Sequence, residues 1–277
     1  MPPCALFVLL YSVGAMEGQG PKERDEDAAG KGDDDEHPEV EREDGENVAV
    51  LIRPDISSLL PIPKLISVDL WSDDSNVVEK ALLELAGLCY CANDYAASET
   101  NRESVHKAEG ASSIVGAMRR WYNNPGIQAA GCNALAHAAI GAGMKPFSLA
   151  AKEGGAFEAV VCAMKNYPDN LLVQSNGCEA CANLCSVTEN ADHLVNALNG
   201  LDLIVAAMRK FPDDELLQRS ACHVLRVLCE WQELRTCISD GGGRRLLLDA
   251  IETHKDETKE HVKELQEWAR KALKNLL

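Results

Sequence analysis

Three cysteines are the residues of this chain best placed to do chemistry. Cys178, Cys181 and Cys185 follow a Cys-x2-Cys-x3-Cys spacing, which on a helix puts all three thiols on one face. Thiolates so arranged could hold zinc or an iron–sulfur cluster if another element supplied the remaining ligands. Register with the rest of the chain argues otherwise. Cys178 has counterparts in Cys132 and Cys222, Cys185 in Cys229, and Cys181 in Leu135 and Leu225. A column that exchanges Cys for Leu is a packing column, because a free thiol behaves as a small apolar group. The core reading is the stronger; a metal- or redox-linked protein built on this cluster stays as the alternative.

No other constellation points to catalysis. The 7 histidines include no His-x-x-x-His or His-Glu-x-x-His pair. Gly241-Gly242-Gly243-Arg244-Arg245 lacks the Lys-Ser/Thr of a phosphate-cradling loop and falls where a helix begins. Asp213-Asp214-Glu215 reads as a helix opening, where carboxylates cap the backbone and favour the dipole. There is no Gly-x-Ser-x-Gly elbow and no dinucleotide fingerprint. The expectation is a non-enzymatic protein with no cofactor and no metal site.

Composition narrows the partners. The 277 residues carry 44 acidic and 27 basic side chains, a net charge of −17, which disfavours binding to a phosphate backbone. Much of that charge is local: Glu17 to Glu46 holds 14 acidic residues and 4 basic ones. Val40 is its only aliphatic residue beyond alanine, so the segment cannot bury enough apolar surface to order itself. It reads as a solvating tail, or as a decoy or chaperone-like segment for basic proteins. Cys4 to Met16 is apolar, too short to span a bilayer, and signal-like apart from its missing basic n-region. A start at Met16 explains it equally. The 11 cysteines lie mostly in helical patterns, which suits a reducing compartment. The expected location is cytoplasmic or nuclear, with secretion as the minority alternative. The expected organisation is an apolar segment over 1–16, a disordered acidic segment over 17–47 and a repeat domain over 48–277.

The elements that position these residues come from an internal repeat. Met118, Met164 and Met208 are followed at +3 by Trp121, Tyr167 and Phe211. At +10 follow Gln128, Gln174 and Gln218, and at +14 Cys132, Cys178 and Cys222. Ile251 continues the series with His254, and Leu70-Trp71 opens it. Each unit predicts three helices. A short one ends near Gly110, Gly155, Gly200 or Gly243. A second ends at the aromatic. After a polar or proline break comes a longer third helix, with an apolar stripe through Val173, Gly177, Ala180, Cys181 and Leu184. Gly131, Gly177 and Ala221 suggest close helix approach. Five units, atypical at both ends, would share one stacked core.

Several strings resemble the armadillo repeat: the helix starts at Asn101-Arg102-Glu103-Ser104-Val105 and Asn190-Ala191-Asp192-His193-Leu194, and Cys178-Glu179-Ala180-Cys181-Ala182-Asn183-Leu184-Cys185. The resemblance covers roughly Ile56 to Leu277. The long units with an aromatic at the second helix end look most like armadillo regions of leucine-rich-repeat kinases, although no kinase or GTPase motif is present. The family implies an all-α, right-handed α-solenoid of about five three-helix repeats, with third helices lining a concave groove. Its groove positions fall on Glu84, Asn133, Glu179, His223 and Gln266, and on Leu88, His137, Asn183, Val227 and Arg270. Only Asn183 keeps the backbone-holding asparagine of importin-type members, and their tryptophan ladder is absent, which argues against a nuclear-import receptor.

The resulting expectation is a monomeric scaffold that binds a protein segment in the groove. Glu84 and Glu179 would favour a basic segment. Neither nucleic acid nor a membrane is expected against the repeat body.

Overall fold

The computed structural model describes residues 62–90, 94–141, 143 and 145–277. The expectations for 1–16, 17–47 and the start of the first repeat lie outside the described residues. Every regular element among those described is helical.

Unit 1 contributes α1 (Ile62–Ser67) and α2 (Ser75–Cys89). Unit 2 has α3 (Tyr95–Lys107), α4 (Gly110–Arg120) and α5 (Pro125–Ala138). Unit 3 has α6 (Lys145–Glu153), α7 (Ala156–Asn166) and α8 (Leu171–Leu184). Unit 4 has α9 (Thr188–Asp192), continued by a π segment (His193–Ala197), then α10 (Gly200–Lys210) and α11 (Glu215–Leu228). Unit 5 has α12 (Gln232–Asp240), α13 (Gly243–Thr253) and α14 (Glu260–Asn275). The third helices α2, α5, α8, α11 and α14 stack in that order, and the main helix contacts join elements of one unit or of neighbours. Local contacts propagate the fold along the stack, as in other solenoids.

The recurring glutamine explains how a second helix can end inside this stack. The last carbonyls of a helix have no intrahelical donor. Gln128 Nε2 donates to Met118 O at 2.8 Å and to Trp121 O at 3.0 Å. Gln174 does the same for Met164 O and Tyr167 O, and Gln218 for Met208 O and Phe211 O, at the same 2.8 and 3.0 Å. One amide thus answers one buried and one part-buried carbonyl in each of units 2 to 4.

First helices perform the matching service for the third helix before them. Asn101 Nδ2 donates to Leu88 O at 2.9 Å, and Arg102 Nη1 to Cys89 O at 2.8 Å. Asn190 Nδ2 reaches Leu184 O at 2.8 Å, and Arg235 Nε reaches Cys229 O at 2.8 Å. Asn190 stands ten residues before Gly200, whereas Asn101 stands nine before Gly110. The π segment takes up that extra residue, so Asn190 keeps its capping place. At the other end of the third helices, Asn124, Asn170 and Asp214 cap Ile127, Val173 and Leu217 N–H groups, as the polar breaks predict.

The glycines that precede the second helices fall into two columns, where the sequence suggested one. Gly110, Gly200 and Gly243 open their helices, and a Cβ there would lie 2.3 to 2.7 Å from Val105, Leu194 or Ile238 side-chain atoms. Gly155 sits one position earlier, in the column of Glu109, Asn199 and Gly242. All four have positive φ, at 80°, 56°, 53° and 87° respectively. That conformation suits glycine and strains glutamate.

Two outcomes follow from this packing. Glu109→Gly should raise the urea unfolding midpoint, by about 1 kcal/mol in stability; a lower midpoint would contradict the left-handed assignment. Gln174→Leu leaves one buried and one part-buried carbonyl without that donor and should lower stability by about 1–3 kcal/mol in the same assay.

Candidate functional site

The third-helix face gathers most of the polar residues singled out in the sequence. At its centre Glu179 of α8 faces α11. Its Oε2 accepts from Arg219 Nη2 at 3.2 Å and from Ser220 Oγ at 2.9 Å, and its Oε1 lies 3.7 Å from His223 Nδ1. Arg219 also donates through Nη1 to Glu264 of α14 at 3.0 Å. The Trp268 ring closes the group: His223 stacks on it with centroids 4.1 Å apart, and the Arg219 guanidinium lies 5.6 Å from its centroid. Burial pushes the Glu179 carboxyl up, but Arg219, His223 and Ser220 together outweigh it and hold the group well below the usual carboxylate range. Glu179 is therefore an anion already matched by the Arg219 guanidinium of the same chain.

Other expected groove residues are placed differently. Gln266 is not on the face: it is only 2% exposed and donates to Ile251 O and His254 O. It plays the part of Gln128, Gln174 and Gln218. The chain takes 12 residues from His254 to Gln266, against 7 from Phe211 to Gln218. Counting from Ile251 therefore put the unit 5 groove positions five residues too early. Asn183 directs its Nδ2 to Ala136 O of the neighbouring third helix at 3.0 Å, so its amide hydrogen joins two units. Asn133 and His137 lie on α5 at 8% exposure each, recessed between α2 and α8. Glu84 is half-buried on α2 and has no ion pair or hydrogen bond with a described residue.

His137 is held by stacking and one polar contact. Its ring lies 4.9 Å from that of Tyr90, and its Nδ1 lies 3.3 Å from Ala86 O. A carbonyl only accepts, so the neutral ring carries its proton on Nδ1. Burial is the main reason its pKa falls, to about 4.

The cysteine cluster belongs to the core. Cys178, Cys181 and Cys185 are at most 1% exposed among aliphatic neighbours. Burial pushes all three thiols up, Cys181 to about 12. Buried thiols so protonated are poor nucleophiles. Among the described residues no group of three or more His, Cys, Asp or Glu side chains is placed to hold a metal ion.

The functional partners missed by sequence reasoning are Ser220, Glu264 and Trp268. The signal that could have found Trp268 is the glutamine: counting unit 5 from Gln266 aligns Trp268 with Ser220, one turn from His223.

Stacked three-helix units with 43 to 46 residues between repeat anchors, built on a continuous third-helix layer, decide the architecture. The fold is an armadillo-like α-solenoid. No protein-family model matches the chain, and no curated protein matches its sequence. Among solved structures, an engineered protein from the Northeast Structural Genomics Consortium aligns with a TM-score of 0.62 and 23% identity, over 78% of this chain and 47% of that one. The chain thus spans about half the length of that protein. A designed armadillo repeat protein aligns with a TM-score of 0.49 and 17% identity, over 78% of this chain and 100% of that one. The 23% likeness speaks to the fold alone.

The pH response of His137 tests the recessed site. Between about pH 6.5 and 4 the unfolded chain takes up a proton that the folded ring refuses. Stability therefore falls as pH drops through that window and is fully retained above it. The loss amounts to about 3 kcal/mol. His137→Phe keeps the stacking on Tyr90 and should flatten this part of the pH–stability profile; an unchanged slope would place the titration elsewhere.

Proposed function

We propose that the chain is a non-enzymatic interaction scaffold whose third-helix face receives a segment of a partner protein. One observation carries the reading: a continuous polar and aromatic band lies across α8, α11 and α14, tied to the hydrophobic core through Trp268. Buried ion pairs add little stability compared with apolar packing, so Glu179, Arg219, Glu264, His223 and Trp268 are better explained as a preorganised surface than as a brace. The recessed Asn133 and His137 give that surface a floor in unit 2.

The charge preference of the partner rests on Glu84, because Arg219 already balances Glu179. A basic segment is the reading that Glu84 supports. The resemblance of the aromatic-ended units to armadillo regions of leucine-rich-repeat kinases agrees with a docking role, since the motifs for phosphoryl transfer are absent from the sequence. Burial of the cysteines removes the support for a redox-linked alternative. No helix of the described residues is long and apolar enough to cross a membrane, and we read the chain as a monomeric protein of the cytoplasm or nucleus.

The test is quantitative affinity capture from the native cell with three baits: the intact chain, Glu84→Ala/Asn133→Ala/Glu179→Ala/His223→Ala, and Lys165→Glu. Lys165 is exposed on the second helix α7 and serves as the control. A partner set that is lost with the first variant and kept with the second supports the reading. A set indifferent to the fourfold variant overturns it.

A further inference from the structure

Two departures from the repeat stand in units 4 and 5. One is the extra residue carried by the π segment that follows α9. The other is Trp231, the residue that enters α12, where the corresponding residue entering α9 is Val187. Valine makes the same turn from a third helix to a first helix, so the stack itself does not need an indole there.

A cavity of about 400 Å³ opens beside Trp231 and is bounded in unit 4 by α9 residues, among them Thr188, that precede the π segment. Its lining comes from the first helices of three successive units: Lys152 of α6, Glu189 and Asp192 of α9, and Trp231, Glu233 and Leu234 where α12 begins. Trp231 packs against the core, and its buried indole N–H has no acceptor among the described residues. Packing rather than a hydrogen bond holds the ring at the cavity wall. Leu234 continues that wall.

The charge around the wall is unbalanced. Three carboxylates stand against one ammonium, and Lys152 directs its Nζ to the Glu189 backbone oxygen at 3.1 Å. Asp192 accepts from Asn196 Nδ2 at 2.7 Å. The Glu189 and Glu233 carboxylates make no ion pair or hydrogen bond with a described residue. The carboxylates are also not grouped to hold a metal ion. Spread negative charge beside an aromatic wall is complemented by a long, planar cation on an apolar stem. Guanidinium has that form: it stacks on indole and presents donors in several directions. An ammonium is compact and strongly hydrated, and meets fewer of these requirements at once.

We infer that this cavity is a docking site for an arginine side chain protruding from a partner protein, separate from the third-helix face. The site lies on the first-helix edge of units 3 to 5. It does not depend on what the groove binds.

The experiment titrates the full-length chain with acetyl-Gly-Arg-Gly-amide and follows the indole N–H signals by NMR. Trp231→Phe identifies the Trp231 signal. The expected result is a saturable shift of that signal with a Kd of about 1–10 mM, as suits a single side-chain ligand. Glu189→Gln/Glu233→Gln should weaken binding about five-fold or more, and the lysine tripeptide should bind several-fold less tightly. Both carboxylates are exposed, so the double variant should keep the unfolding midpoint of the parent. Glu84→Lys/Asn133→Ala should bind the arginine peptide as the parent does, which separates this site from the groove. No saturable shift below about 50 mM overturns the inference. So does equal binding by the double carboxamide variant, or lysine binding as tight as arginine binding.

Discussion

A buried helix terminus is the constraint that the rest of this structure answers. A three-helix unit must stop its second helix inside the stack, with its last carbonyls buried or part-buried. The side-chain amide of one glutamine supplies two hydrogens to two of those carbonyls. The first helix of the next unit then supplies an asparagine or arginine to the end of the third helix. With those polar ends satisfied, the faces between units can be almost wholly apolar. Small residues can then line them, and methionine side chains press close to Gly131 and Gly177. The conspicuous cysteines follow from the same economy of volume: a thiol fills a place that leucine fills one unit away.

The stack was legible in the sequence because recurrence is a one-dimensional signal. Met, aromatic, Gln and Cys return in register, and the exchange of Cys181 with Leu135 and Leu225 foretold burial. What each recurring residue touches was not legible. The glutamine column stood out, yet nothing local says that an amide at Met+10 turns back onto carbonyls seven and ten residues behind it. The two glycine columns merged because Gly155 and Gly110 differ by one position, and only backbone dihedrals separate a strained turn from a close approach.

The candidate face was harder still, because its key pairings span about one repeat. Glu179 and Arg219 are 40 residues apart, and Arg219 and Glu264 are 45. Read singly, Glu179 is an acidic contact; read with Arg219 and His223, it is half of a compensated charge. A longer loop and an earlier start of α14 displaced every groove position in unit 5, which is why Gln266 was placed on the face and Trp268 left off it. Electrostatic character therefore varies around the solenoid in a way that net charge conceals. The third-helix face balances much of its charge internally, whereas the edge near Trp231 keeps carboxylates that the described residues leave unbalanced.

The π segment of α9 also bears on how such a chain can change in length over generations. An inserted codon in an α-helix normally rotates everything beyond it by about 100°, which would carry Asn190 off its carbonyl partner. Here one wider turn absorbs the added residue, and Leu194 and Asn190 both stay in place. Before Gln266 a larger addition is shared between the loop and the first turn of α14, with the cap equally unmoved. Repeat boundaries in this molecule are thus fixed by the polar caps and not by residue count, so related chains should align by their capping amides even where their unit lengths disagree.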